Sequence, residues 1–218
     1  MPRLGVILAG CGVYDGSEIH EAVVTLLAID RQKAEAVITA PDMLLDEIDH
    51  RTGALTGATR SVLAEAARIA RGVITPLEEV RAADLDAVVF PGGYGAAKNL
   101  SNLAHKGSEA DILPEIRSLI LAMHAAGKPI GAMCIAPALI ALAFKDSGIH
   151  PTITIGTDPT TAATLETLGA VHATASAHDI VIDIPNRIVT TPAYMVATSI
   201  AEAAAGIERL VKEIIRMI

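Results

Sequence analysis

Cys134 is the residue of this chain whose setting is best suited to covalent chemistry. It stands in Gly131-Ala132-Met133-Cys134-Ile135-Ala136-Pro137, where a short apolar strand passes into a helix with no loop residues to spare. So sharp a turn needs small side chains two positions either side of its apex. Ala132 and Ala136 fill those places, as glycines do in the Gly-x-Ser-x-Gly nucleophile elbow. At a helix N-terminus, unpaired amides and the macrodipole favour a thiolate, so this thiol is expected to ionise more readily than a free one. The plain alternative is a cysteine acting as a small buried hydrophobe. The elbow context favours the nucleophile.

A nucleophile of this kind needs oxyanion donors, and backbone N–H groups in Pro91-Gly92-Gly93, after another strand, could supply them close to the elbow. The same loop is no P-loop, because Lys98 follows Ala97 and precedes Asn99. The first loop, Gly10-Cys11-Gly12-Val13-Tyr14-Asp15-Gly16, imitates a dinucleotide fingerprint, with Asp42 after the second strand. Yet the helix beyond it begins Ser17-Glu18-Ile19-His20-Glu21, and two carboxylates there would repel a pyrophosphate. NAD binding is therefore not expected. His20-Glu21 is half of a His-Glu-x-x-His zinc motif whose second histidine is replaced by Val24, so no metal is implied. Glu21 or Glu18 makes better sense beside the thiol, sharing its proton or acting as general base once burial raises the carboxyl pKa. A solvated first-turn Glu is the competing reading.

The elements that must position these groups alternate along the chain. Strands are expected at Leu4 to Ala9, Ala36 to Thr39, Asp86 to Phe90 and Ile130 to Met133. Helices are expected at Ser17 to Asp30 with Ser17 as cap, Ser61 to Ala70, Ile112 to Ala126, Ile135 to Phe144, Thr160 to Leu168, and Tyr194 to Ile218. Ile180 to Asp183 and Arg187 to Thr190 flank Pro185-Asn186 and predict a hairpin, while Asp42 to Thr59 is the least regular stretch. The pattern predicts a three-layer α/β architecture with a mostly parallel sheet, one domain spanning residues 1–218. In such a sheet ligands bind at the carboxyl ends of the strands, where all three motif loops fall. The first helix carries Ile19, Ala22, Val23, Leu26 and Leu27 on one face and Val24 and Ala28 on another. Apolar residues all round predict burial on two sides, hence a subunit interface.

Composition narrows the partners. Apolar residues make up 51% of the 218 and aromatic residues only 2%, so the core must be built from Ala, Val, Ile and Leu. A net charge of −8 with no Lys/Arg cluster argues against nucleic acid. No apolar run approaches the roughly 18 residues of a spanning helix, and no membrane partner is expected. The first residues run straight into a strand without a signal-like segment, which predicts a cytosolic protein with free thiols at Cys11 and Cys134. The three tyrosines, Tyr14, Tyr94 and Tyr194, all fall within motif loops.

The elbow at Gly131 to Pro137, the Pro91-Gly92-Gly93 loop and a Glu early in the first helix resemble the ThiJ/PfpI superfamily, relatives of the class I glutamine amidotransferases. Within it, Gly10 to Glu21, Pro91 to Asn102, Ile155-Gly156-Thr157-Asp158 and Thr190 to Tyr194 resemble the ElbB branch, which includes eukaryotic mitochondrial ES-type proteins. The match runs over essentially the whole chain. It implies an α/β/α sandwich with a flavodoxin-like, class I glutamine amidotransferase-like sheet and Cys134 as nucleophile. Five residues beyond Gly16, it points to Glu21 as the acid beside that cysteine. Glutaminases pair their cysteine with a His-x-Glu after a late strand, whereas this chain reads Thr190-Thr191-Pro192-Ala193-Tyr194. The usual general base for amide hydrolysis is thus missing. His20 is the nearest histidine by sequence.

The resemblance implies a glyoxalase-type lyase needing no cofactor, an activity also interpreted as protein deglycation. It would turn glyoxal or methylglyoxal into the 2-hydroxy acid through a Cys134 hemithioacetal. Glu21 would move the proton, and the backbone amides of Gly93 and Ile135 would hold the oxyanion. Cys11, Tyr14, Glu18, His20, Gly92, Asn99 and Tyr194 are expected around the substrate, in a homodimer. The alternatives are a thiol sensor or regulatory binding protein, with Cys11 as a resolving thiol, and an amidotransferase subunit borrowing residues from a partner.

Overall fold

Side chains of period two sort the strands into two apolar layers. The structure is a computed structural model describing residues 1–218. Along the chain run β1 (Arg3–Ile7), α1 (Ile19–Arg31), β2 (Glu35–Ala40), β3 (Leu44–Asp49), β4 (Ala54–Ser61), α2 (Val62–Ile69), β5 (Thr75–Pro76) and β6 (Ala87–Phe90). There follow α3 (Tyr94–Lys98), α4 (Leu103–Lys106), α5 (Pro114–Ala125), β7 (Ile130–Met133), α6 (Pro137–Phe144), β8 (Thr152–Ile153) and α7 (Pro159–Thr167). The chain ends with β9 (Val171–His172), β10 (Val181–Asp183), β11 (Ile188–Thr191) and α8 (Ile200–Met217).

Seven strands form the central sheet in the order β10-β11-β7-β6-β1-β2-β5. Every neighbouring pair is parallel except the β10–β11 hairpin. Leu4, Val6, Val89 and Met133 pack with α1, α2 and α8 on one face. Ile7, Val88, Phe90, Ile130 and Ala132 pack with α5 and α6 on the other. The expected α/β/α sandwich is therefore the observed one. From β1 the chain turns to β2 on one side, and later to β6 on the other, so the direction of winding reverses between β1 and β6. A crevice at the carboxyl ends of the strands is the geometric result.

Several expected boundaries shift. Ser17 is not the cap of α1, because its hydroxyl accepts a hydrogen bond from the Ala9 N–H at the end of β1. Glu18 takes the cap and accepts from Glu21 N–H at 2.7 Å. The helix after the elbow begins at Pro137, not Ile135, because Cys134 to Ala136 are spent on the turn. Likewise α5 starts at Pro114, since Ile112 bridges to Ser101. The terminal helix does not start at Tyr194: a single 3-10 turn at Ala193–Met195 precedes α8, which Ser199 caps. The stretch from Asp42 to Thr59 is mostly regular, forming the β3–β4 hairpin beside the sheet. In α1, Ala22, Thr25, Ala28 and Ile29 face the core, while Ile19, Val23 and Leu27 stay 42–48% exposed.

Candidate active site

The loop after β1 and the loop after β6 interlock through their backbones. Glu18 N–H donates to Gly92 O, Tyr94 N–H to Val13 O and Gly95 N–H to Gly16 O, each at 2.8–2.9 Å. Two glycines make this approach feasible. Gly93 has φ +97°, and a β-carbon there would lie 2.4 Å from Glu18 N. A β-carbon on Gly92 would fall 2.4 Å from Cys134 Cβ, 2.7 Å from Glu21 Oε2 and 2.9 Å from Cys134 Sγ. Position 92 is thus where the elbow, the β6 loop and α1 converge.

Cys134 occupies the left-handed region at φ +58°, a conformation costing a non-glycine residue about 1–2 kcal/mol, as nucleophile elbows do. Its N–H is held by Thr191 O at 3.1 Å, and the side chain is 8% exposed. The backbone N–H groups of Gly93 and Ile135 lie near enough to the sulfur to favour its charged form. Glu21 is fully buried, with its carboxyl beside the Cys134 side chain. Its Oε2 accepts from Gly92 N–H at 2.8 Å and its Oε1 from Tyr194 N–H at 3.2 Å. Burial, and then the Glu18 carboxylate, push the Glu21 carboxyl up to about 7. Two backbone donors and the thiol oppose that rise without cancelling it.

The thiol does not follow the expectation of easy ionisation. Burial and the adjacent Glu21 carboxylate push it well above the ordinary cysteine value, and the backbone amides of Gly93 and Ile135 offset only part of this. Cys134 and Glu21 consequently behave as a buried pair competing for one charge.

A cavity of about 390 Å³ opens onto the sulfur. Of the expected residues, Cys134, Glu18, Gly93, Ile135 and Tyr194 line it. Gly92 lies behind the sulfur, with its N–H already taken by Glu21. His20 sits outside the lining, where its Nδ1 shares a 2.8 Å hydrogen bond with the Tyr194 hydroxyl and stands 3.8 Å from Glu18 Oε1. Burial, then the Glu18 and Glu21 carboxylates, push the Tyr194 phenol up, which keeps it protonated.

Cys11, Tyr14 and Asn99 join Gly92 and His20 outside the lining, and the fully buried Glu21 is also not part of it. Cys11 has Glu65, Arg68, Arg60 and Asp15 for charged neighbours, and burial and Glu65 push its thiol up. Tyr14 stacks against His50 and Tyr94. Asn99 is buried as a brace, donating from Nδ2 to Ala9 O and Asp15 O at 2.8 Å. The remaining wall comes from the motif-loop Tyr94 and from residues not singled out in the sequence: Val13, Ala97, Leu103, Ala104, Gly107 and Met195, with Thr160, Thr161 and Thr164 of α7. No group of three or more His, Cys, Asp or Glu side chains is placed to hold a metal ion.

Comparison with known proteins places this arrangement. No family model matches the chain. The human protein "Glutamine amidotransferase-like class 1 domain-containing protein 3, mitochondrial" is 41% identical over 226 residues, spanning 99% of this chain and 83% of that protein. The mitochondrial ES1 protein homolog of Rattus norvegicus is also 41% identical, over 99% of this chain and 84% of the relative. Among solved structures, an isoprenoid biosynthesis protein with an amidotransferase-like domain from Ehrlichia chaffeensis superposes with TM-score 0.93 at 37% identity, over 100% of this chain and 99% of that one. Drosophila melanogaster DJ-1beta shares the fold at TM-score 0.59 and 18% identity. No helix of this chain is long and apolar enough to cross a membrane. By identity sustained over nearly its full length, the chain belongs to the glutamine amidotransferase-like class 1 family that contains the mitochondrial ES1 proteins.

Proposed function

We propose that the protein is a cofactor-independent, glyoxalase-type enzyme that converts a 2-oxoaldehyde to the 2-hydroxy acid, glyoxal and methylglyoxal being the simplest substrates. The observation that carries this reading is the convergence of Cys134 Sγ and the Glu21 carboxyl on Gly92, with the Gly93 and Ile135 backbone N–H groups near the sulfur. Glu21 takes the thiol proton as Cys134 adds to the aldehyde carbon and hands it to the new C1 oxygen, which regenerates the carboxylate and leaves a hemithioacetal whose oxygen the two amides hold. The C1 proton then passes by way of Glu21 to C2 through an enediol, leaving a 2-hydroxy thioester. Water hydrolyses the thioester, releasing the acid and restoring the thiol. No net oxidation occurs, so the chemistry calls for no redox partner. A carboxyl with a pKa near 7 is suited to accepting and returning protons at neutral pH.

The raised thiol and its 8% exposure weigh against a fast peroxide sensor, and Cys11, set among Glu65, Arg68 and Arg60, is no resolving partner in this reading. An amidotransferase subunit is disfavoured because Tyr194, not histidine, follows β11 beside Glu21. We take the working unit as a homodimer built on the exposed Ile19, Val23 and Leu27 stripe of α1. The test is a turnover panel of glyoxal, methylglyoxal and glutamine without added cofactor. Glycolate and lactate should form and ammonia should not. Ammonia release from glutamine, or no 2-hydroxy acid at all, would overturn the proposal.

A further inference from the structure

The cavity at Cys134 is far larger than the simplest 2-oxoaldehydes. At roughly 30 Å³ per heavy atom, liquid water's share, methylglyoxal would fill about 150 Å³ of the 390 Å³. Its walls are also wrong for a small hydrophilic molecule alone. Val13, Leu103, Ile135 and Met195 supply apolar surface, and Ala97 and Ala104 leave room between them. Glu18 is the single charged side chain in the lining, and no Lys, Arg or His faces the space. Lys98, next to Ala97 in the chain, is turned away to donate to Tyr14 O at 3.0 Å, with its ammonium 5.2 Å over the Tyr94 ring. An anionic substituent bound here would lose water beside the Glu18 carboxylate and gain no cation. A neutral apolar group would bury its surface at no such cost.

We infer that the cavity selects a carbonyl compound with an uncharged, apolar or aromatic body, so that the preferred substrate is a 2-oxoaldehyde carrying a bulky neutral substituent in place of methyl. The inference rests on the reading above for the reacting end and extends it to the rest of the molecule. The aldehyde carbon meets Cys134, and the substituent lies along Ile135, Leu103 and Met195 toward the threonines of α7. The space accommodates roughly 13 heavy atoms on the same volume scale.

Two measurements separate the cavity's preference from the reaction. The first is alkylation of Cys134, followed by intact-protein mass, with N-benzyl iodoacetamide, iodoacetamide and iodoacetate, each rate divided by its rate with glutathione. The benzyl reagent should saturate and exceed iodoacetamide by at least about tenfold, and iodoacetate should lag by at least about tenfold. In Ala104→Phe, where the exposed Ala104 at the cavity wall is enlarged, the benzyl advantage should collapse. Equal normalised rates for the three reagents, or a benzyl rate that never saturates, would overturn the inference. The second is turnover, in which kcat/KM for phenylglyoxal should exceed that for methylglyoxal, with the ratio falling in Ala104→Phe. Methylglyoxal turnover with flat alkylation rates would keep the glyoxalase reading and overturn the apolar-substrate inference. The predicted alkylation order with no 2-oxoaldehyde turnover would do the reverse, keeping the ligand class and overturning the reaction.

Discussion

Burying Glu21 sets the direction of the pH response near neutrality. In the unfolded chain its carboxyl ionises near the ordinary glutamate value of 4.5, and in the folded protein near 7. Below pH 4.5 both states hold the proton and the group costs nothing. Between 4.5 and 7 the unfolded chain has released it while the folded protein keeps it, so stability falls as pH rises. Above about 7 the decline ends, at a total on the order of 3 kcal/mol from this group. The difference in urea stability between wild type and Glu21→Gln should therefore fall from pH 5 to pH 8, and parallel profiles would count against the raised carboxyl. Catalysis should respond in the opposite sense, because the base is the carboxylate: kcat/KM should climb through about pH 7 in wild type and lose that limb in Glu21→Gln. The elbow was legible from Ala132 and Ala136 flanking Cys134, whereas the residues alone left Glu21 and Glu18 level and only the resemblance to the ThiJ/PfpI superfamily pointed to Glu21. The thiol's suppressed ionisation was not, because it follows from burial and from a carboxylate 113 positions away in the chain, neither of which a local motif reveals.

At the scale of elements, the loop after β1 is braced by the β3–β4 hairpin, which lies in the least regular stretch of the sequence. Residues of β4 are mostly exposed, so the apolar alternation that marks the central strands is missing there. The hairpin is instead tied to the loop after β1 by charge. Buried Asp15 accepts from Ile48 N–H at 2.9 Å and pairs with Arg60 at 2.5 Å, and Arg60 also reaches Glu65 at 2.7 Å. Asp15→Asn should lower stability by about 1–3 kcal/mol, given that Arg60 keeps a quarter of its side chain in solvent. A urea midpoint unchanged from wild type would show that the hairpin is held by something else. The central strands and most helices could be read because their apolar period meets a sheet on one side. The cavity wall from α7 could not, since Thr160 and Thr164 reach the site only through the packing of distant segments. The same reason explains why Cys11, Tyr14 and Asn99, all in motif loops, point elsewhere: proximity in a loop does not fix direction.

The whole molecule presents Ile19, Val23 and Leu27 to solvent at i, i+4 and i+8 along α1, the helix that also carries Glu21. In the homodimer proposed above, this stripe is the seam for the second copy. Leu27→Asp should shift the mass measured by light scattering from dimer to monomer, and a wild-type protein that is already monomeric would refute the seam. Above all, the molecule places one cysteine, one carboxyl and two amides at the switch point of its sheet. The direct test is lactate formation from methylglyoxal by Cys134→Ala beside wild type, with folding checked by circular dichroism. A loss of at least about a thousandfold is predicted for removal of a covalent nucleophile. Turnover within a few-fold of wild type would contradict the assignment of Cys134 as that nucleophile.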